Sequence, residues 1–252
     1  MIELYKGDCL ELMNNIPDKS IDCIICDLPY GSTSLKWDSI INFEQLWTKY
    51  NRILKDNSNI ILFASGEFTY KLYASNPKQY KYKLIWKKNV PTGMSSAKYR
   101  PMKYYEEILI FQKGKGTYNP QMKDRIGVGK ACYNYAHYCG ENNHLSGLKK
   151  QKKRYNPDKV QPSDVLEFNV APNRNGKVHP TQKPIELLEW LVRTYSNEND
   201  LILDNCMGSG TTGIAAKNLN RKFIGIELNE KYFEIAKERI NGVQKEMKRK
   251  LF

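Results

Sequence analysis

No stretch of this chain approaches the ~18 consecutive apolar residues that a bilayer-spanning helix needs. Its opening run, Met1-Ile2-Glu3-Leu4-Tyr5, has neither a basic leader nor a long apolar core. Membrane and secretory readings are therefore set aside, and a cytoplasmic protein is expected. Internal repeats and low-complexity segments are missing as well, which removes solenoids and tail-like tracts. Cysteine is sparse, with six residues scattered over 252. Cys23 and Cys26 resemble a metal or redox pair, but they fall in an apolar strand, where a three-residue offset turns the thiols to opposite faces. Cys132, His137, Cys139 and His144 match none of the usual zinc spacings, so no metal is expected. Acidic residues are also in short supply. Against 40 Lys and Arg there are 27 Asp and Glu, a net charge of +13. Such an excess points to a polyanionic partner.

What is present suits an α/β domain. The chain is long enough for one sizeable core, and 40% of its residues are apolar. Phe43, Leu46, Trp47, Tyr50, Ile53 and Leu54 repeat at helical spacing behind Asn42, a good N-cap. Residues 21–26, 59–64, 82–86, 107–111, 201–204 and 223–226 read as strands, and 185–195 and 230–241 as helices. Their alternation predicts a mostly parallel, doubly wound sheet. The rhythm stops between Phe111 and about Val170. From Lys113 to Val160 there are 11 Lys or Arg against 3 Asp or Glu, interleaved with Tyr118, Tyr133, Tyr135, Tyr138 and Tyr155. Basic and aromatic side chains together suit phosphate contact and base stacking. The run Lys149, Lys150, Lys152, Lys153 and Arg154 is the densest candidate nucleic-acid contact.

The segment Leu201-Ile202-Leu203-Asp204-Asn205-Cys206-Met207-Gly208-Ser209-Gly210-Thr211-Thr212-Gly213 reads as a buried strand, a tight glycine turn and a helix start. Glu227 ends the next apolar run, where a nucleotide-binding fold places a carboxylate for the ribose hydroxyls. Gly208, Gly210 and Gly213 also satisfy the dinucleotide spacing, so a nicotinamide cofactor stays open on this pattern alone. A second motif is needed to choose.

That motif is Asp27-Leu28-Pro29-Tyr30, where the apolar run Ile21–Cys26 breaks. Around it stand Gly7-Asp8-Cys9-Leu10-Glu11-Leu12 with Ile16-Pro17, and His179-Pro180-Thr181-Gln182-Lys183-Pro184. In this order the sequence resembles the beta-type, circularly permuted amino-group DNA methyltransferases, and the resemblance covers most of the chain. It implies a Rossmann-like methyltransferase fold. The catalytic half would span residues 1–112, a target-recognition insertion 113–170 and the cofactor-binding half 171–252.

The resemblance further implies S-adenosylmethionine as cofactor and double-stranded DNA as substrate. An exocyclic amine is a poor nucleophile because its lone pair is delocalised into the ring. The resemblance assigns acceptance of its two N–H groups to the Asp27 carboxylate and the Leu28 carbonyl. Leucine replaces the commoner proline there and costs only backbone rigidity. Pro29 shapes the turn, and Tyr30 would stack on a base swung out of the duplex. Asp8 and Cys9 are assigned to the cofactor adenine and Glu227 to its ribose. Thr181, Lys183 and the turn Gly208, Ser209, Gly210, Thr211 and Thr212 are assigned to the methionine portion. His179, Asp204, Cys206 and, beside its catalytic part, Asp27 belong to the same cofactor side. Carbon methylation of cytosine needs a thiolate, usually in a Pro-Cys pair, and no such pair occurs. Asp at the first tetrad position favours adenine N6 over cytosine N4. A nicotinamide oxidoreductase, an inactive nucleic-acid-binding module and an RNA substrate are the remaining alternatives. Members of that family can dimerise or work beside a restriction enzyme; no pattern here decides either. The segment Lys87–Lys103, with Pro91, Gly93 and Pro101, reads as a loop that would cover the bound base.

Overall fold

A computed structural model of the chain describes residues 1–31, 40–124, 159–170 and 182–249. Two compact units are distinguished: residues Met1–Asn119 with Asp164–Phe252, and Pro120–Ser163. In the second, the described part is a short antiparallel pair, β6 (Lys123–Asp124) with β7 (Lys159–Val160).

The first unit is built on an eight-stranded sheet. Its strands are β1 (Ile2–Lys6), β2 (Ile21–Cys26), β3 (Leu54–Ala64), β4 (Tyr80–Thr92), β5 (Lys103–Lys113), β8 (Val165–Glu167), β9 (Leu201–Asp204) and β10 (Lys222–Glu227). The spatial order is β1-β10-β9-β2-β3-β5-β4-β8. The expected mostly parallel sheet is present: only the β3/β5 and β4/β5 pairings are antiparallel. Helices cover both faces. On one lie α1 (Cys9–Leu12), α2 (Phe43–Ile53) and α3 (Glu67–Ser75); on the other lie α4 (Ile185–Tyr195), α5 (Thr211–Asn218) and α6 (Glu230–Arg249). Cys26 packs in the first core and Cys23 in the second, as a strand's alternation requires.

Local chemistry explains the boundaries. Asn42 caps α2 by accepting the Gln45 N–H at 3.0 Å, and Leu46, Trp47, Tyr50 and Ile53 form its buried stripe. Leu54, expected in the helix, already has extended backbone and opens β3. The polar stretch Lys55–Ser58 interrupts β3's ladder with β2, whose register shifts between Ile21/Leu54 and Cys23/Asn59. Periodicity therefore detects only the apolar half of that strand. The first part of the Lys87–Lys103 loop, up to Thr92, is also strand, because β4 and β5 keep pairing past their apolar centres, with Lys87 opposite Tyr105 and Thr92 opposite Lys103. Helix α3 gave no clear signal, since it buries only Phe68, Thr69 and Leu72. Among the described residues no helix is long and apolar enough to cross a membrane.

Candidate active site

Parallel strands β2 and β9 are neighbours, but the chain continues from β2 to β3 on one side and from β9 to β10 on the other. At such a switch point the loops beyond the carboxyl ends diverge and leave a crevice. A cavity of about 590 Å³ opens there. It is lined by Asp27, Leu28, Pro29 and Tyr30 from the β2 turn and by Asp204, Cys206, Gly208, Ser209, Thr211 and Thr212 around the β9 turn. Asp8, Cys9, Glu227 and Lys183 complete the sequence-predicted residues that reach it. Gly210 is not among the lining residues. His179, Thr181 and the Lys149–Arg154 run lie outside the described residues, as do Cys132, His137, Cys139 and His144. Among the described residues no group of three His, Cys, Asp or Glu side chains forms a metal site.

The β9 turn is shaped by backbone. Gly208 (φ 52°) and Gly210 (φ 77°) both adopt the left-handed conformation that glycine takes at least cost. A Cβ on Gly210 would stand 2.9 Å from the Ala236 Cβ, so α6 also requires glycine there. Tyr50 from α2 donates to the Asn205 side chain at 2.6 Å, which ties the turn to the opposite layer. Glu227 accepts the Gly208 N–H at 2.9 Å and the Asn229 N–H at 2.8 Å. Burial raises the Glu227 carboxyl above its ordinary range, and these two N–H groups pull it back. Asp204 accepts the Cys206 N–H at 3.2 Å, and burial pushes its carboxyl up to about 7. Asp8 serves as the N-cap of α1, accepting from the Leu10 N–H at 2.7 Å.

The β2 turn is organised by charge. Asp27 Oδ1 accepts from the Tyr30 hydroxyl at 2.8 Å, and Oδ2 accepts from Lys183 Nζ at 2.5 Å. Phe68 stacks on the Tyr30 ring at 4.7 Å between centroids. Lys183, which the sequence offers to a cofactor carboxylate, instead bridges Asp27 and Glu106, with Nζ 3.4 Å from Glu106 Oε2 and 5.0 Å from the Phe63 ring centroid. Lys88 holds the other Glu106 oxygen at 3.0 Å. The result is a chain of alternating charge, buried at its lysines and half-buried at its carboxylates: Asp27, Lys183, Glu106, Lys88. Burial pushes the Asp27 carboxyl up; Lys183 opposes this and Glu106 adds to it, leaving it above the usual carboxylate range. Burial opposes Glu106 ionisation too, but its two lysines overcome that and hold it below its usual range.

Sequence reading missed Glu106 and Lys88, although a signal existed. On β4, Leu84 and Trp86 face the core, and the same two-residue alternation reaches Lys88; on β5, Ile110 and Ile108 lead likewise to Glu106. Trp86 stands opposite Glu106 in the ladder. Both charges thus occupy inward positions at the cavity end of the sheet.

The family described as DNA methylase (N6_N4_Mtase) matches residues 21–238. This chain belongs to the N6/N4 DNA methylase family. The methylase is 32% identical over 256 residues to the type II methyltransferase M.HpaI of Haemophilus parainfluenzae, covering 95% of this chain and 74% of that protein. It is 30% identical to M1.MboII of Moraxella bovis over 262 residues, covering 96% and 97%. Among solved structures, the M1.HpyAVI–SAM complex superposes with a TM-score of 0.66 at 27% identity, covering 96% of this chain and 100% of the other. The cytosine-N4-specific PvuII DNA methyltransferase shares the fold alone, with a TM-score of 0.66 at 16% identity over 94% of this chain and 86% of that one.

The methylase's cofactor is S-adenosylmethionine, and its substrate is DNA. The residues present fit that cofactor. One cavity joins the glycine turn and Glu227 to Asp27, so a nucleoside held at the former can present a reactive group at the latter.

Proposed function

We propose that this methylase acts on the exocyclic N6 of an adenine extruded from double-stranded DNA. The observation that carries the reading is the first tetrad position: an aspartate, half-buried at the mouth of β2 and flanked by Tyr30 and Lys183. A carboxylate there accepts an N–H from the target amine and draws the nitrogen lone pair out of the ring. In this reading the Leu28 carbonyl accepts the second N–H. Tyr30, backed by Phe68, supplies the aromatic surface for the base. When bound, S-adenosylmethionine supplies a methyl group made electrophilic by its sulfonium.

On this reading Glu227 accepts the ribose hydroxyls, with its two backbone N–H partners keeping both oxygens aimed. The Thr211–Thr212 start of α5 faces the cofactor carboxylate with backbone N–H groups. Asp8 and Cys9 flank the adenine of the cofactor. Once methylated, the target nitrogen is cationic. It loses one N–H proton to an Asp27 oxygen, which passes it to water. The basic run Lys149–Arg154 is assigned to the DNA backbone.

Incubation with labelled S-adenosylmethionine and duplex DNA, followed by digestion to nucleosides, tests the assignment. Label in N6-methyldeoxyadenosine is expected. Label in N4-methyldeoxycytidine would overturn the adenine assignment.

A further inference from the structure

The charge chain contains an asymmetry that accepting an amine does not by itself explain. Glu106 Oε1 is held by Lys88 at 3.0 Å, whereas Glu106 Oε2 is buried and makes no hydrogen bond among the described residues. Its neighbour is Lys183 Nζ, 3.4 Å away and committed to Asp27 at 2.5 Å. A buried carboxylate oxygen without a hydrogen bond is destabilising, and the ion-pair contact at 3.4 Å offsets this only in part. That cost is relieved if Nζ moves a short way towards it, which needs only side-chain rotation. Phe63, below the ammonium, offers a ring face and no competing acceptor.

The present position of Lys183 is a poor one for the proposed reaction. It occupies Asp27 Oδ2 while Tyr30 occupies Oδ1, so both oxygens already accept before an amine arrives. A cation in contact also makes Asp27 a weaker base at the moment a proton must be taken up. We infer that Lys183 is a transferable counter-ion, passed from Asp27 to Glu106 when the target amine enters, with Lys88 fixing Glu106 to receive it. Lys88 and Glu106 are then positioning residues that act through Lys183. The inference rests on Asp27 being the acceptor of the amine. No atom is exchanged in the transfer, and the four side chains remain neutral as a group. The proton released after methylation goes from nitrogen to an Asp27 oxygen, while the N–H electron pair stays on nitrogen.

Tyr30 on the same turn, Cys26 on β2 and Asp204 on β9 also act on or feel Asp27, and Lys103 on β5 faces Glu106 and Lys88. Glu106 also acts directly on Asp27, Tyr30 and Lys103, and Lys88 on Lys103, so the two substitutions are read together, by the opposite directions in which they move Asp27. Glu106→Gln removes the receiving charge and leaves Lys183 on Asp27. Lys88→Met removes the lysine hydrogen-bonded to Glu106, leaves Lys183 as the cation in ion-pair contact with it and draws Lys183 off Asp27.

The test titrates the Asp27 carboxyl by carbon-13 NMR in the full-length protein without DNA, using Asp27→Asn to assign the signal, and measures kcat against pH with duplex substrate. Glu106→Gln should move the Asp27 titration and the acid limb of kcat to lower pH, with kcat at neutral pH down about tenfold or more. Lys88→Met should move both to higher pH. Affinity for S-adenosylmethionine should change less than about threefold in either. Shifts in the same direction, or no shift in either variant, would overturn the inference. If Glu106→Gln fails to fold, Lys88→Met decides alone: an upward shift supports the transfer, and an unmoved titration sinks it. The NMR readout needs no DNA, so methylated cytosine as the product would remove the adenine assignment and leave these shifts standing.

Discussion

Two turns face each other across one cavity, at the ends of adjacent parallel strands, and they are built by opposite means. The turn after β9 is made of backbone: two left-handed glycines, N–H groups and the carboxylate of Glu227 gripping two of them. The turn after β2 is made of side-chain charge, with Asp27 held by Tyr30 and by a lysine more than 150 residues away in sequence. A cradle of backbone suits a ligand that must bind in one pose. A charged chain with alternative pairings suits a group that must change partners during a reaction. On the proposed reading, the difference separates binding from chemistry within a single crevice.

Three substitutions can break that separation. The largest effect is expected for Asp27→Ala, which removes the acceptor: kcat should fall about 10²- to 10⁴-fold. Calorimetry should find S-adenosylmethionine affinity nearly unchanged. Loss of binding along with turnover would mean that the β2 turn belongs to the cofactor. Glu227→Gln is the mirror experiment. It replaces a charged acceptor by a neutral one, so cofactor affinity should weaken about tenfold or more. Turnover at saturating cofactor should change little; a collapse in kcat with unchanged affinity would reverse the roles of the two turns.

The smallest effect concerns Asp204, which belongs to the binding side. Burial raises its carboxyl from 3.8 to about 7 in the folded protein. Between those values the folded state keeps a proton that the unfolded chain has released, so this group makes stability fall as pH rises through the window. Asp204→Asn should flatten that part of the pH dependence of Tm, measured by calorimetry without cofactor. An unchanged slope between pH 4 and about 7 would show that Asp204 titrates normally.

Much of the site is legible in sequence because its parts are local. A strand followed by Asp27-Leu28-Pro29-Tyr30, and another followed by Gly208-Ser209-Gly210, are continuous segments whose backbone demands appear as residue types. The carboxylate ending β10 sits where the fold's connectivity puts it. Lys88 and Glu106 escape because a charge just beyond a strand's apolar centre looks solvated until a ladder shows that the strand continues and which face the residue occupies. Lys183 was visible as part of a motif, but its partner was not. No spacing rule joins residues 27 and 183.

By itself the sequence determined the α/β architecture, the two turns and the chemistry their residue types permit, since apolar period and glycine placement act over short stretches of chain. Tertiary structure alone decided that β2 and β9 would be neighbours, that their turns would share a cavity, and that four charges from four separate segments would pair in line. Ion pairing in a dry interior depends on distance in space, and that distance is set by sheet order and strand register rather than by position along the chain.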